Sequence, residues 1–357
     1  MGRMTEPLRV GVVGFGLAGR IFHTAVLSAV PGLHLAAIVK PTGEQAKEAY
    51  PQIPCYRSLD EMLDDKSIHL VVVATPSDNH YQIAEECLSD GRHVVIDKPF
   101  TLASAEAAAL IRLARERNLT LSAYQNRRWD GDFLTVKKIL NSERLGRLVS
   151  YESHFDRFRP EPRLEVWRES GGPGSGTLFD LGTHLIDQAT ALFGSPSHIT
   201  ASVRTDRDHA VSDDAFDVWL NYADQHNLTV RLCASSIARI PGARFTLHGM
   251  KGSYVKHGLD PQEQQLKDGV SFTAPGFGVD PQSEWGTLQI LEEPPRRIPT
   301  ENGDYRNYYA NVRDAILGKA PLAVTAEQAW RTARLIELAR LSSKEQRTLP
   351  VDLSDQP

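Results

Sequence analysis

The sequence is poor in cysteine and has no long apolar run. Its three cysteines, Cys55, Cys87 and Cys233, are widely separated in 357 residues. They offer no metal-ligand spacing and no disulfide framework, so they read as thiols of a reducing compartment. No apolar stretch reaches the length that crosses a bilayer, and the opening MGRMTEPLRV has neither an apolar signal core nor a twin-arginine pair. The expected location is the cytoplasm, with no membrane partner. Basic charge is not in excess: 40 Lys and Arg face 45 Asp and Glu, a net charge of -5. That balance supplies no field for a polyanion and excludes a general nucleic-acid binder. Internal repeats and low-complexity segments are also missing. What is present is enough chain for two domains with cores of their own.

The first third alternates strands and helices. Apolar runs at Leu8–Val13, Leu33–Val39, Ile68–Thr75, His93–Asp97 and Leu119–Ser122 are separated by helical patterns over 20–29, 79–89 and 103–117, and by a short helix that opens on Ser58-x-x-Glu61. Such alternation predicts a parallel, doubly wound sheet covered on both faces. The first strand runs into GFGLAG, so Gly14, Phe15, Gly16, Leu17, Ala18 and Gly19 form a G-x-G-x-x-G turn that opens a helix. Gly14 permits the tight turn, Gly16 lets a pyrophosphate approach the backbone, and Gly19 lets helix and strand pack closely. The second strand ends in Ile38-Val39-Lys40-Pro41-Thr42, with no carboxylate before Glu44. An acid there would hold a ribose diol; a cation suits a ribose phosphate, so the expected cofactor is NADP, with NAD as the alternative and Lys40 and Thr42 as contacts. Ligands of such sheets lie beyond the carboxyl ends of the strands. This places Thr75, Pro76, Asn79 and His80, then Asp97 and Lys98, then Asn126, at the crevice.

Beyond Asn126 the pattern changes. A helix over 132–141 precedes an alternating segment, Val149–Phe158, and a glycine-rich loop, Ser170–Gly176. A helix follows over 179–193, and strand-like runs lie near 199–205, 215–222, 228–234 and 243–248. They predict a mixed, mainly antiparallel sheet backed by a helix. The stretch from Gly258 to Pro299 reads as irregular, either a pocket lid or a subunit contact. Asp180 and His184 are spaced i, i+4 and share a helix face beside an apolar surface. They are either a satisfied structural pair or a functional one. No third ligand stands at a telling spacing, so no metal site is expected.

GFGLAGRIFH, TPSDNH, VVIDKPFT, NRRWDGDFLT and DLGTHLIDQ together, in order over nearly the whole chain, resemble the Gfo/Idh/MocA oxidoreductases, in particular the branch that contains NADP-dependent scyllo-inositol dehydrogenases. The family's E-K-P is D-K-P here. The resemblance implies a Rossmann domain over residues 1–124 and, over 125–357, an α/β domain with a large open sheet for substrate binding and assembly. It also implies a cis peptide at Lys98-Pro99 and a catalytic set of Lys98, Asp180 and His184. Oxidation of a secondary alcohol sends hydride to the nicotinamide and a proton to a base. A histidine can take that proton and a lysine cation can stabilise the alkoxide; the residues leave open which of the two is the immediate base. Arg128, Trp129, Asp156, Arg159, Trp167 and Tyr308 are further candidates for substrate contact, with Arg157 and Arg168 beside them. The expected substrate is a cyclic polyol or sugar and the expected assembly a homodimer or homotetramer. Reduction of a different carbonyl compound and a non-catalytic NADP-binding regulator are the competing functions.

Overall fold

A computed structural model describes residues 6–357. Six strands, β1 (Leu8–Val13), β2 (Leu33–Val39), β3 (Cys55–Tyr56), β4 (Leu70–Val73), β5 (His93–Ile96) and β6 (Leu121–Ala123), form one sheet in the order β3-β2-β1-β4-β5-β6. Every pairing in it is parallel. The reason is visible in β4: all four residues of LVVV are buried, and a strand covered on both faces by helices has no use for polar alternation. Ser58 caps the short helix Leu59–Leu63 by accepting from Glu61 N at 3.3 Å. The Glu61 carboxylate, however, accepts from Arg57 N at 3.0 Å.

The second sheet has nine strands: β7 (Leu148–His154), β8 (His198–Arg204), β9 (Ala215–Tyr222), β10 (Leu228–Ser235), β11 (Phe245–Gly249), β12 (Gly252–Lys256), β13 (Gly286–Ile290), β14 (Arg296–Ile298) and β15 (Leu349–Pro350). Their order is β14-β13-β12-β11-β7-β10-β9-β8-β15, and all neighbours are antiparallel except β7 with β10. In β9, Phe216, Val218, Leu220 and Tyr222 are buried while Asp217, Trp219 and Asn221 are not. One face therefore packs on the helices Thr183–Phe193 and Ala326–Glu345, and the other stays polar and open. The stretch 258–299 is more ordered than its composition suggests. It holds the helix Gln262–Lys267 and the strands β13 and β14.

The core behind the first sheet is not drawn from residues 1–124 alone. Tyr305, Tyr308, Tyr309, Val312, Val324 and Trp330 belong to it. Glu337, on the long helix Ala326–Glu345, accepts from Ser104 N at 2.6 Å and from Ser104 Oγ at 2.8 Å. A carboxylate from the far end of the chain thus caps the helix Ser104–Glu116, where its charge favours the helix N-terminus.

Candidate active site

The glycine turn after β1 is closed to side chains on two sides and open on the third. Gly14 has φ +99°, and a Cβ on it would lie 2.5 Å from Ala74 O; one on Gly19 would lie 2.1 Å from Gly14 O. A Cβ on Gly16 would meet nothing within 4 Å. The protein's own backbone forbids the first two, whereas the backbone at Gly16 faces open space that a phosphate can enter. These residues fit a dinucleotide. Leu17 and Ala18 line the adjoining cavity, whereas Phe15 turns into the core, edge-on to Tyr50 with ring centroids 6.0 Å apart. The helix after the turn begins as a π-helical segment, Ala18–Thr24.

Lys40 lines a shallow cavity of about 400 Å³ at the end of β2, together with Lys47 and Arg57. Arg57 donates to Gly43 O at 2.9 Å and pairs with Glu44, so it holds the loop that follows Lys40. Thr42 is exposed beside this cavity and is not part of its wall. Arg57 enters because β3 pairs beside β2, a neighbour that the G-x-G-x-x-G motif does not report.

At the end of β5 the chain delivers Asp97 and Lys98, and the Lys98-Pro99 bond is cis. Asp97 Oδ1 accepts from Lys98 N at 2.8 Å and lies 3.5 Å from His23 Nε2. His23 Nδ1 in turn lies 2.6 Å from Tyr309 Oη. Burial pushes the Asp97 carboxyl up, but His23 and Lys98 outweigh it and hold it down to about 2. The nearby loop residues are set back from the cavity. The ring nitrogens of buried His80 lie 2.8 Å from Pro99 O and 3.0 Å from Thr75 O, so this side chain ties two loops together. Pro76 and Asn79 are exposed, and the Asn79 amide donates to Asp78.

The Lys98 ammonium reaches across the crevice to the second domain. It donates to Asp180 Oδ1 at 2.6 Å and to Asp180 O at 2.7 Å. Asp180 sits in a second π-helical segment, Leu178–Gly182, which runs into the α-helix Thr183–Phe193. Asp180, Leu181 and His184 all face a cavity of about 380 Å³, with Lys98, Tyr124 and Asn126 on its opposite wall. π-Turns recur where a helix must re-aim a side chain at a site. Burial raises the Asp180 carboxyl, but Lys98, Arg168 and Arg157 together overcome it and hold the group well below the usual carboxylate range. Arg168 Nε is 3.3 Å from Asp180 Oδ1, and a guanidinium nitrogen of Arg157 is 3.6 Å from Oδ2. Burial, with Lys98 and Arg127 nearby, pushes His184 well below its ordinary value, so its imidazole is neutral. Its Nδ1 is buried with no hydrogen-bond partner among the described residues. Burial and Arg168 lower Lys98 against the pull of Asp180.

The other candidates divide. Arg159 and Asn126 line the cavity. Arg128 does not: it grips Asp187 with two bonds of 2.7 and 2.6 Å and donates to Ala323 O, while its neighbour Arg127 faces the site. Trp129 packs edge-on to Tyr308, and Tyr308 is buried in the first core with its hydroxyl 2.9 Å from Ser122 Oγ. Asp156 accepts from Gly242 N at 2.8 Å and lies beside His154, away from the cavity. Trp167 serves as a platform for the Arg168 guanidinium, 4.7 Å above its ring. The cavity also takes Glu263 and Lys267 from the helix Gln262–Lys267, within the stretch that reads as irregular. Among the described residues, Glu152, His154 and Cys233 come within metal-ligand distance of one another, but Arg231 is 3.4 Å from Glu152 and the ring nitrogens of His154 already face Glu152 and Asp156.

Residues 8–125 match the family described as an oxidoreductase family with an NAD-binding Rossmann fold, and residues 137–353 match that family's C-terminal alpha/beta domain. Similar curated proteins include the oxidoreductase YdgJ of Escherichia coli (strain K12), 40% identical over 97% of this chain and 99% of the relative. Another is IolW of Bacillus subtilis (strain 168), a scyllo-inositol 2-dehydrogenase (NADP(+)), 37% identical over 98% of each chain. Among solved structures, the oxidoreductase yvaA from Bacillus subtilis superposes with a TM-score of 0.94 at 37% identity, covering 98% of this chain and 100% of that one. With both domains matched in order and the glycine turn facing Lys98, the chain belongs to the Gfo/Idh/MocA family of oxidoreductases, whose members act on the CH–OH group of their donors.

Proposed function

We propose that the protein is an NADP-linked dehydrogenase of a cyclic polyol or sugar, working at a secondary alcohol. The observation that carries this reading is the convergence of Lys98, Asp180 and His184 on one cavity beside the glycine turn. The nicotinamide cofactor, when bound, supplies the hydride acceptor. An ammonium has three N–H donors, and two of those on Lys98 are committed to Asp180. The third is free to hydrogen-bond the reacting hydroxyl and to stabilise the alkoxide as it forms. His184, neutral in its buried setting, takes the hydroxyl proton. Asp180 stays ionised throughout, fixes Lys98 and offers an oxygen to a neighbouring hydroxyl. NADP is supported by the Lys40, Lys47 and Arg57 edge, and by the similarity to the NADP-linked dehydrogenase IolW. The proposal includes pairing of two or four copies over the open face of the nine-stranded sheet, which light scattering would report.

The test is the initial rate of NADP⁺ and NAD⁺ reduction over a panel of inositols and aldoses, for wild type beside Lys98→Met. Turnover of a polyol with NADP⁺, lost in the variant, is the expected result. NADPH binding without turnover of any member would point to a substrate outside the panel or to a non-catalytic regulator. An alanine at position 184 that left the rate unchanged at all pH values would remove His184 as the base.

A further inference from the structure

The cavity carries more positive charge than its residues use. Seven cationic side chains line it against three carboxylates, Asp97, Asp180 and Glu263. Two of those acids are engaged within the first domain or by Arg127 and Lys267. Asp180 alone answers to Lys98, Arg157 and Arg168. Arg163 is committed to Glu169 at 2.8 Å, and Arg207 behind it to Asp214 at 2.9 Å. Arg159 has no carboxylate within ion-pair distance and no side-chain hydrogen bond among the described residues; Arg157 and Arg163 act on it as like charges, and Glu169 and Asp180 answer them only from beyond ion-pair distance. Like charges held side by side raise the energy of the free protein and favour whatever anion enters between them. A neutral polyol needs a mixture of donors and acceptors; it has no use for surplus cation. The phosphates of a dinucleotide have their own seat at Gly16, on the opposite domain.

We propose that the substrate carries an anionic group, a carboxylate or a phosphate ester, beside its reacting hydroxyl, and that Arg157, Arg159 and Arg168 hold it. Planar guanidinium forks suit the two-oxygen face of either anion. Asp180 bridges the two halves of the site, since it touches both Lys98 and two of these arginines. The inference rests on the dehydrogenase reading above and narrows its substrate class.

The experiment compares matched substrates on the NADP-loaded protein: myo-inositol against its 1-phosphate, D-glucose against glucose 6-phosphate, and D-galactose against D-galacturonate. Each is run with wild type and with Arg159→Gln, an exposed position where the folded spectrum serves as control. A kcat/KM at least tenfold higher for an anionic member, falling to under threefold in the variant through KM, supports the proposal. The phosphate and carboxylate arms then say which anion. Equal or better turnover of the neutral member overturns it. If no sugar of either kind turns over, the substrate lies outside the panel or the protein is a regulator, and titration of inorganic phosphate into the NADPH-loaded protein decides the anion subsite. Binding at least tenfold weaker in Arg159→Gln retains it; equal binding in both proteins removes it.

Discussion

Two ionic clusters touch the helix Thr183–Phe193, and they are built on opposite rules. At Gln188, the Arg244 guanidinium spends each nitrogen: Nε on Asp132 at 3.2 Å, the other two on Ser153 Oγ at 2.5 Å and Gln188 Oε1 at 2.8 Å. It lies over the rings of Phe155 and Phe245, and both Arg244 and Asp132 are buried. About two turns earlier, in the segment that leads into this helix, Asp180 serves three cations, and Arg159 serves none. The bond lengths in the two places are alike. The difference lies in the accounting of partners: a cluster that holds the fold closes on itself, whereas one meant for a ligand leaves donors over. Buried polar groups in the first kind are costly to disturb, and those in the second kind wait for something to arrive.

That contrast can be broken in several ways. The largest effect is expected from Arg244→Met, which strands the Asp132 carboxylate in the core. Urea unfolding should show a loss of about 3–5 kcal/mol; an unmoved midpoint would mean that the closed cluster is not structural. Lys98→Met should do the reverse, lowering kcat about 10²–10³-fold while leaving the unfolding midpoint unchanged or slightly raised, because one cation leaves an over-supplied site. Gly19→Ala and Gly16→Ala sharpen the same distinction in the glycine turn. The first drives a Cβ into Gly14 O and should lower the yield of folded protein. The second meets open space and should raise the KM for the dinucleotide about tenfold with the melting temperature intact.

A pH titration gives the smallest effect. The folded chain holds His184 neutral well below 6.5, whereas the unfolded chain takes up its proton near that value. Above pH 6.5 neither state is protonated and the residue contributes no pH dependence. Below it only the unfolded state gains a proton, so stability falls with falling pH by at most about 1.4 kcal/mol per unit. His184→Gln should reduce the measured slope by this residue's share, while buried His80 and His93, which burial also keeps from protonating, retain theirs; the acid limb of kcat/KM should disappear in the same variant.

Much of the site was legible in the residues. The glycine turn and Lys98 at the end of a buried strand follow from local pattern, whereas the Asp180–His184 spacing alone leaves a structural pair open and only the family resemblance assigns it to the site; the structure gathers all three. Arg127 and Arg128 show where pattern stops. They are adjacent and alike, and only the short turn Asn126–Trp129 decides that one faces the cavity and the other clamps Asp187. Tyr308 misled for a related reason: a tyrosine on a late helix carries no mark of which core it joins. The helix Gln262–Lys267 was hidden by the proline and glycine around it and by its brevity. The π-turn that bears Asp180 has no sequence signature, because it depends on packing around the turn rather than on side-chain periodicity.

The long helix that finishes the first core has a consequence for how the chain is made. Residues through Ala123 complete the six-stranded sheet, yet the side chains of Tyr305 to Trp330 that complete its core leave the ribosome about 200 residues later. At about 5–20 residues per second, that is a delay on the order of ten seconds or more. Throughout it, the helices already made pack on the sheet, but the first core lacks the tyrosines and the tryptophan that complete it, so this domain reaches its full core only when the last part of the chain is made.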